Sequence, residues 1–209
     1  MGHAIHGELS QKQEPLYRGY STSVAETAST FFEALVFENL FESLNGEEKI
    51  AALHDKINDD ISTIFRQTAF FNFELELHTT VRENGFLSKE EIAAMLNRHM
   101  KKYLGPAFTL KENDGYFFVQ VSHFRRFFYV YSYVFGQLIS KSLYEKFKKD
   151  PKYLLKIEQF LSAGGSDTPE NIFKKIGIDL KDPTFFEAGL KSIESDISTL
   201  EKLVAKREK

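Results

Sequence analysis

Apolar residues recur along this chain at helical rather than alternating intervals almost from end to end. The run SVAETASTFFEALVFENLFESLNG spreads Val24, Phe31, Phe32, Leu35, Val36, Phe37, Leu40 and Phe41 over most of a helix circumference. That pattern predicts a central helix, buried on all sides, closing at Asn45-Gly46. The same helix carries Glu26 and Glu33, and a carboxylate buried without a partner is costly, so both need partners. A second helical pattern runs from Glu47 to about Asn84 and stops at Gly85. The next opens on a capping box, Ser88 with Glu91, and ends at Leu104-Gly105-Pro106, before a polar loop to Gly115.

A third long pattern, from about Gln120 to Lys149, is dense in Phe and Tyr, but its length without a turn signal favours helix over strand. Pro151 restarts a helix to Phe160. The segment SAGGSDTPENIF reads as a glycine turn followed by a helix capped by Thr168 with Pro169 at its first position. From Asp182 to the end the pattern is amphipathic and increasingly charged. With no internal repeat and no strand pair, the fold class is all-α, a single helical domain over residues 1–209.

Composition narrows the classes of function. At 209 residues, 42% hydrophobic and with 21 Phe, the chain can bury a sizeable core without staples. The absence of Cys excludes disulfides and thiolate metal sites and favours a reducing compartment, with cytoplasm the default. A net charge of -3 with scattered Lys and Arg argues against a nucleic-acid partner. No stretch approaches the ~18 apolar residues of a membrane span, and there is no basic, then apolar, leader pattern.

The first seven residues, MGHAIHG, hold two histidines at helical spacing, His3 and His6. By spacing alone they read as a solvated helix end, because a metal site needs three or four ligands held by the fold. The wider run is more specific. GHAIHGELS, then Pro15, then YSTSVAETAS resembles the zinc-helix region of the oligoendopeptidase F family, relatives of thimet oligopeptidase among the H-E-x-x-H zinc metallopeptidases. Downstream, VSHFRRFFYVYSYVFG resembles the family's His-Phe-x-x-x-Phe-Tyr-Val-Tyr-x-Tyr segment, and FLSAGGSDTPENIFKKIGIDL its glycine turn and closing helices. The likeness covers residues 1–35 and a C-terminal stretch holding both later segments, with a less distinctive helical middle.

The resemblance implies roles. His3 matches the second zinc histidine, Glu26 the third zinc ligand, and Met1-Gly2 the residues before the second histidine, so residues 1–7 are a remnant of the zinc helix. The first zinc histidine and the general-base Glu would fall immediately before Met1. Glu33, two turns after Glu26, is expected either to accept a hydrogen bond from the far nitrogen of His3 or to partner a core Tyr or Arg. His123 with Tyr129 or Tyr131 resembles the donors that stabilise the oxyanion. Helix phase leaves open which of Tyr129, Tyr131 and Tyr133 takes part. His6 is a secondary candidate as a substitute ligand, while His54, His78 and His99 read as surface or packing residues.

The implied function is the C-terminal part of a zinc metalloendopeptidase acting on short peptides, inactive as this chain alone. The alternatives are a non-catalytic helical domain binding peptide or a partner chain, and one half of a split peptidase. Self-association through an uncovered apolar face, or pairing with a missing N-terminal part, follows from either.

Overall fold

A computed structural model describes residues 1–207, and the last two positions of the C-terminal pattern lie outside the described residues. Among the described residues the α-helices are, in order, α1 (Gly2–Ser10), α2 (Thr22–Ser43), α3 (Gly46–Ile61), α4 (Gln67–Asn84), α5 (Lys89–Leu104), α6 (Tyr131–Lys149), α7 (Leu154–Ser162), α8 (Pro169–Lys175) and α9 (Pro183–Arg207). No strand occurs among them, so the fold is all-α. No helix is long and apolar enough to cross a membrane.

Local chemistry sets many of the boundaries. At the start of α5 the Ser88 hydroxyl accepts from the Glu91 amide while the Glu91 carboxylate accepts from the Ser88 amide. Asn45 and Glu48 make the same reciprocal pair at the start of α3, at 3.2 and 3.0 Å. The Asn45-Gly46 pair read as a helix stop is therefore also a helix start. Thr168 caps α8 through the Asn171 amide, with Pro169 following as expected. The run from α3 to α4 is helical throughout but passes through a π-helical segment, Ser62–Arg66.

The chain divides into two compact units, one formed by Met1–Asp60 with the chain from Phe135 onward, the other by Ile61–Val134. In the first, Val24, Ala28 and Phe31 of α2, Ile139 and Leu143 of α6, and Phe160 and Phe173 of α7 and α8 form the core, each 2% exposed or less. In the second, Phe70 and Phe73 of α4 pack with Met95 and Leu96 of α5 and with Val130.

Two expectations are corrected. Burial of α2 is confined to one face of its first half, where Val24, Thr27, Ala28 and Phe31 are each 2% exposed or less, so the helix is not buried on all sides. Val36 and Leu40 are 54% and 58% exposed, because none of the described residues covers that face. The helix expected from Gln120 begins only at Tyr131. Residues before it form 3₁₀ turns, Glu112–Val119 and Ser122–Arg125, and then an irregular connector. The connector contains Phe128 at φ 50, outside helical space. A run of aromatic and β-branched residues has low helix propensity, and Val130 is drawn wholly into the core.

Candidate functional site

In the first unit the chemistry begins with a residue that has no side chain. A Cβ on Gly2 would lie 2.5 Å from the Ala28 carbonyl oxygen and 2.6 Å from Ser29 Cα, so the backbone of α1 rests directly on that of α2. One residue on, His3 Nε2 stands 3.9 Å from Glu26 Oε2. Ligand bonds to zinc of about 2.0–2.2 Å from nitrogen and oxygen would let a single ion reach both atoms, at a tetrahedral angle once the two side chains close by about 0.5 Å. Ser29 Oγ stands 3.1 Å from the same carboxylate oxygen and 3.0 Å from the Glu26 carbonyl oxygen, so its one hydrogen is shared between the two acceptors. Gly136 of α6 closes the other side: a Cβ there would meet Glu26 Cβ at 2.6 Å. The His3 side chain is 54% exposed and that of Glu26 24%. Nitrogen and carboxylate donors suit zinc, but among the described residues no group of three or more His, Cys, Asp or Glu side chains gathers to hold a metal ion. The pair fits as part of a site.

The other first-unit candidates lie elsewhere. His6 is fully buried, its ring stacked on Tyr20 at 3.5 Å between centroids. Burial, helped by the charge of His3, pushes its pKa down to about 4. It is a core residue, not a substitute ligand. Glu33 is exposed and makes no hydrogen bond to His3. It lines a cavity of about 260 Å³ with Thr30, Phe37, Asp59 and Ser140. Beside it Asp60 is buried and accepts from Gln137 Nε2 and Lys141 Nζ, both at 2.6 Å.

In the second unit, His123 Nε2 is hydrogen-bonded to the Tyr133 hydroxyl at 3.0 Å. The ring of Tyr129 stacks on His123 at 5.6 Å and meets Tyr133 edge-on at 5.5 Å, while the Arg126 guanidinium lies 5.4 Å from the Tyr129 ring centre. Tyr131, on the first turn of α6, is 47% exposed and outside this cluster. Helix phase could not identify the trio because Tyr129 precedes the helix. His78 and His99 are not isolated: His99 Nε2 is 2.6 Å from Glu76 Oε2, and His78 Nε2 is 4.0 Å from Glu74 Oε1.

Sequence reasoning missed Glu74. Its side chain is 1% exposed, and Oε1 accepts a 2.8 Å hydrogen bond from the Phe128 amide. Burial pushes its carboxyl above the ordinary range, against the opposing pull of that hydrogen bond and of His78. A lone Glu in a helical pattern gives no sign of a partner 54 residues away.

The sequence matches the profile of Peptidase family M3 over residues 1–192. It is 33% identical over 208 residues to Oligopeptidase PepF of Bacillus subtilis, covering 98% of this chain and 31% of that protein. Against an oligoendopeptidase F homolog of Lactococcus lactis subsp. lactis it is 30% identical over 213 residues, covering 99% of this chain and 35% of that one. The solved structure of oligoendopeptidase-F from Enterococcus faecium matches with a TM-score of 0.83 at 26% identity, over 98% of this chain and 38% of that one. This chain thus spans about a third of the length of the relatives it matches.

Proposed function

Since the chain belongs to peptidase family M3, we propose that it is the C-terminal helical part of a zinc oligoendopeptidase that hydrolyses short peptides in the cytoplasm. The observation that carries this reading is the contact of α1 with α2 at Gly2, which brings His3 and Glu26 within reach of one ion. His3 and Glu26 would hold the zinc, with the remaining histidine ligand and the general-base Glu supplied by polypeptide outside this chain. When bound, the metal polarises the scissile carbonyl and lowers the pKa of a water to about 7.

This chain's own residues do the rest of their work by holding and donating. Ser29 shares its hydroxyl hydrogen between the carboxylate and the carbonyl oxygen of Glu26. Glu33 orients the imidazole of His3 only after a side-chain rearrangement, since no hydrogen bond joins the two. A phenol and an imidazole in contact suit the negative charge that grows on a carbonyl oxygen as it becomes tetrahedral. His123 and Tyr129 are assigned that role; Tyr133 is preferred to Tyr131 as the second phenol, because it shares the hydrogen bond.

Two ligands make a weak site, so the chain alone should bind zinc poorly and turn over no peptide. Joined to a polypeptide supplying His-Glu ahead of Met1, it should bind zinc and cleave a quenched fluorescent octapeptide. Loss of an outer hydrogen-bond partner already costs 10–100-fold in metal affinity, so His3→Ala or Glu26→Ala in the joined protein should cost at least about 100-fold. Unchanged zinc affinity in both variants would overturn the ligand assignment. Peptide binding without turnover in the joined protein would favour the non-catalytic reading.

A further inference from the structure

Phe128 is the one non-glycine residue with positive φ among the described residues, at 50°. Left-handed backbone crowds the Cβ of any L-residue and is poorly tolerated by a bulky one, so it persists only where the surroundings hold it. Here the holding group is the Glu74 carboxylate of α4, which accepts from the Phe128 amide at 2.8 Å. Glu74 Oε2 is buried with no hydrogen-bond partner, so only one of its oxygens is engaged. A buried carboxylate that gains so little from its own surroundings is hard to explain as a source of stability.

The hydrogen bond acts beside the donor cluster. Tyr129 follows Phe128 directly, and its amide donates to the Arg126 carbonyl at 3.0 Å across the same turn. Val130 is then wholly buried, and Tyr133 lies one turn further on. On the other side, the Phe128 ring packs on Phe71 at 5.8 Å and on His78 at 5.3 Å. Were Phe128 to relax to an ordinary negative φ, the chain direction would change one residue before Tyr129. The ring of Tyr129 would leave His123.

We propose that Glu74 is a positioning residue, whose carboxylate fixes the left-handed turn at Phe128 and so holds Tyr129 against the His123–Tyr133 pair. This rests on the reading of those three side chains as oxyanion donors. Glutamine keeps an acceptor oxygen at the same place, whereas leucine keeps only the bulk.

The test compares Glu74→Gln and Glu74→Leu by NMR in this chain, and by kcat and KM in the joined enzyme. Glu74→Gln should leave the His123 imidazole and the Tyr129 and Tyr133 ring signals near their native positions. Glu74→Leu should shift all three and lower kcat at least tenfold, with KM changed less than twofold and zinc retained. Native His123 and tyrosine signals in a folded Glu74→Leu chain would overturn the positioning role. If the signals move and kcat does not, the positioning stands and the donor reading of the cluster fails. Should Glu74→Leu not fold, the native chain decides: the Phe128 amide proton must be protected from exchange, and rapid exchange overturns the proposal.

Discussion

His6 has both ring nitrogens buried without a hydrogen-bond partner and no exposed surface, so the fold admits it only as neutral imidazole. Its pKa falls to about 4, while in the unfolded chain it returns to the ordinary value near 6.5. Between those two pH values the unfolded chain binds a proton that the folded chain refuses, so stability drops as pH falls through this window. Above pH 6.5 both states are neutral and this residue adds no pH dependence. The loss on full acidification is about 3 kcal/mol. His6→Phe keeps a ring to stack on Tyr20 and removes the proton acceptor, so urea midpoints at pH 7.5 and 5 should lie closer together in the variant than in the parent. Equal pH dependence in the two would contradict this account. His3, three residues earlier, shows how far residue type and spacing carry a reading. The two histidines are alike in sequence, yet one lies half exposed beside a carboxylate and the other is sealed against Tyr20 and Phe160. What separates them is the surface each meets, which spacing does not encode.

Helix elements bring the same lesson to glycine. Gly7 lies inside α1, where an added Cβ would meet nothing within 4 Å, whereas Gly136 inside α6 would drive its Cβ to 2.6 Å from that of Glu26. Intrinsic propensity favours alanine in a helix interior by roughly 0.5–1 kcal/mol. Gly7→Ala should therefore raise stability by about that amount. Gly136→Ala should lower it by about 1–3 kcal/mol, because α2 and α6 must part, and should weaken zinc binding in the joined enzyme as Glu26 is displaced. Thermal melts of the two variants check the opposite signs, and a stabilised Gly136→Ala would show that the helices do not meet so closely. Elements whose ends depend on neighbours in the chain were legible: the capping box at Ser88, the Thr168-Pro169 start of α8 and the stop at Gly85. The start of α6 was not, because a carboxylate on α4 fixes the turn at Phe128. The pairing of His3 with Glu26 was expected only through resemblance to a family. Gly2, which lets the two residues approach, could be placed in the motif, but its contact with Ala28 and Ser29 is a fact of packing.

For the whole molecule, the exposed half of α2 poses the largest energetic question. Val36 and Leu40 sit one turn apart on one face, each more than half exposed, next to the stacked rings of Phe37 and Phe41 at 5.5 Å. Burying a large aliphatic side chain gains about 1.5–3 kcal/mol, so two such residues recover only about 2–3 kcal/mol from their exposed halves. Pairing α2 faces of two chains doubles that gain, but association costs at least ~4 kcal/mol in lost freedom of motion. The balance, at best about 2 kcal/mol in favour of pairing, corresponds to a dissociation constant of roughly tens of millimolar, so the exposed aliphatic residues alone do not hold two chains together at micromolar concentration. Sedimentation velocity should therefore show a single-chain mass up to hundreds of micromolar. A mass that rises over that range and is restored by Val36→Lys with Leu40→Lys would show that this face makes a larger self-contact than those residues supply. The chain spans about a third of the length of its relatives, so the further polypeptide invoked in the proposed function is a candidate occupant of this face. If Val36→Lys with Leu40→Lys weakens association of such a polypeptide with this chain, the apolar face of α2 lies in that contact. If the two lysines leave the association unchanged, the face lies outside it.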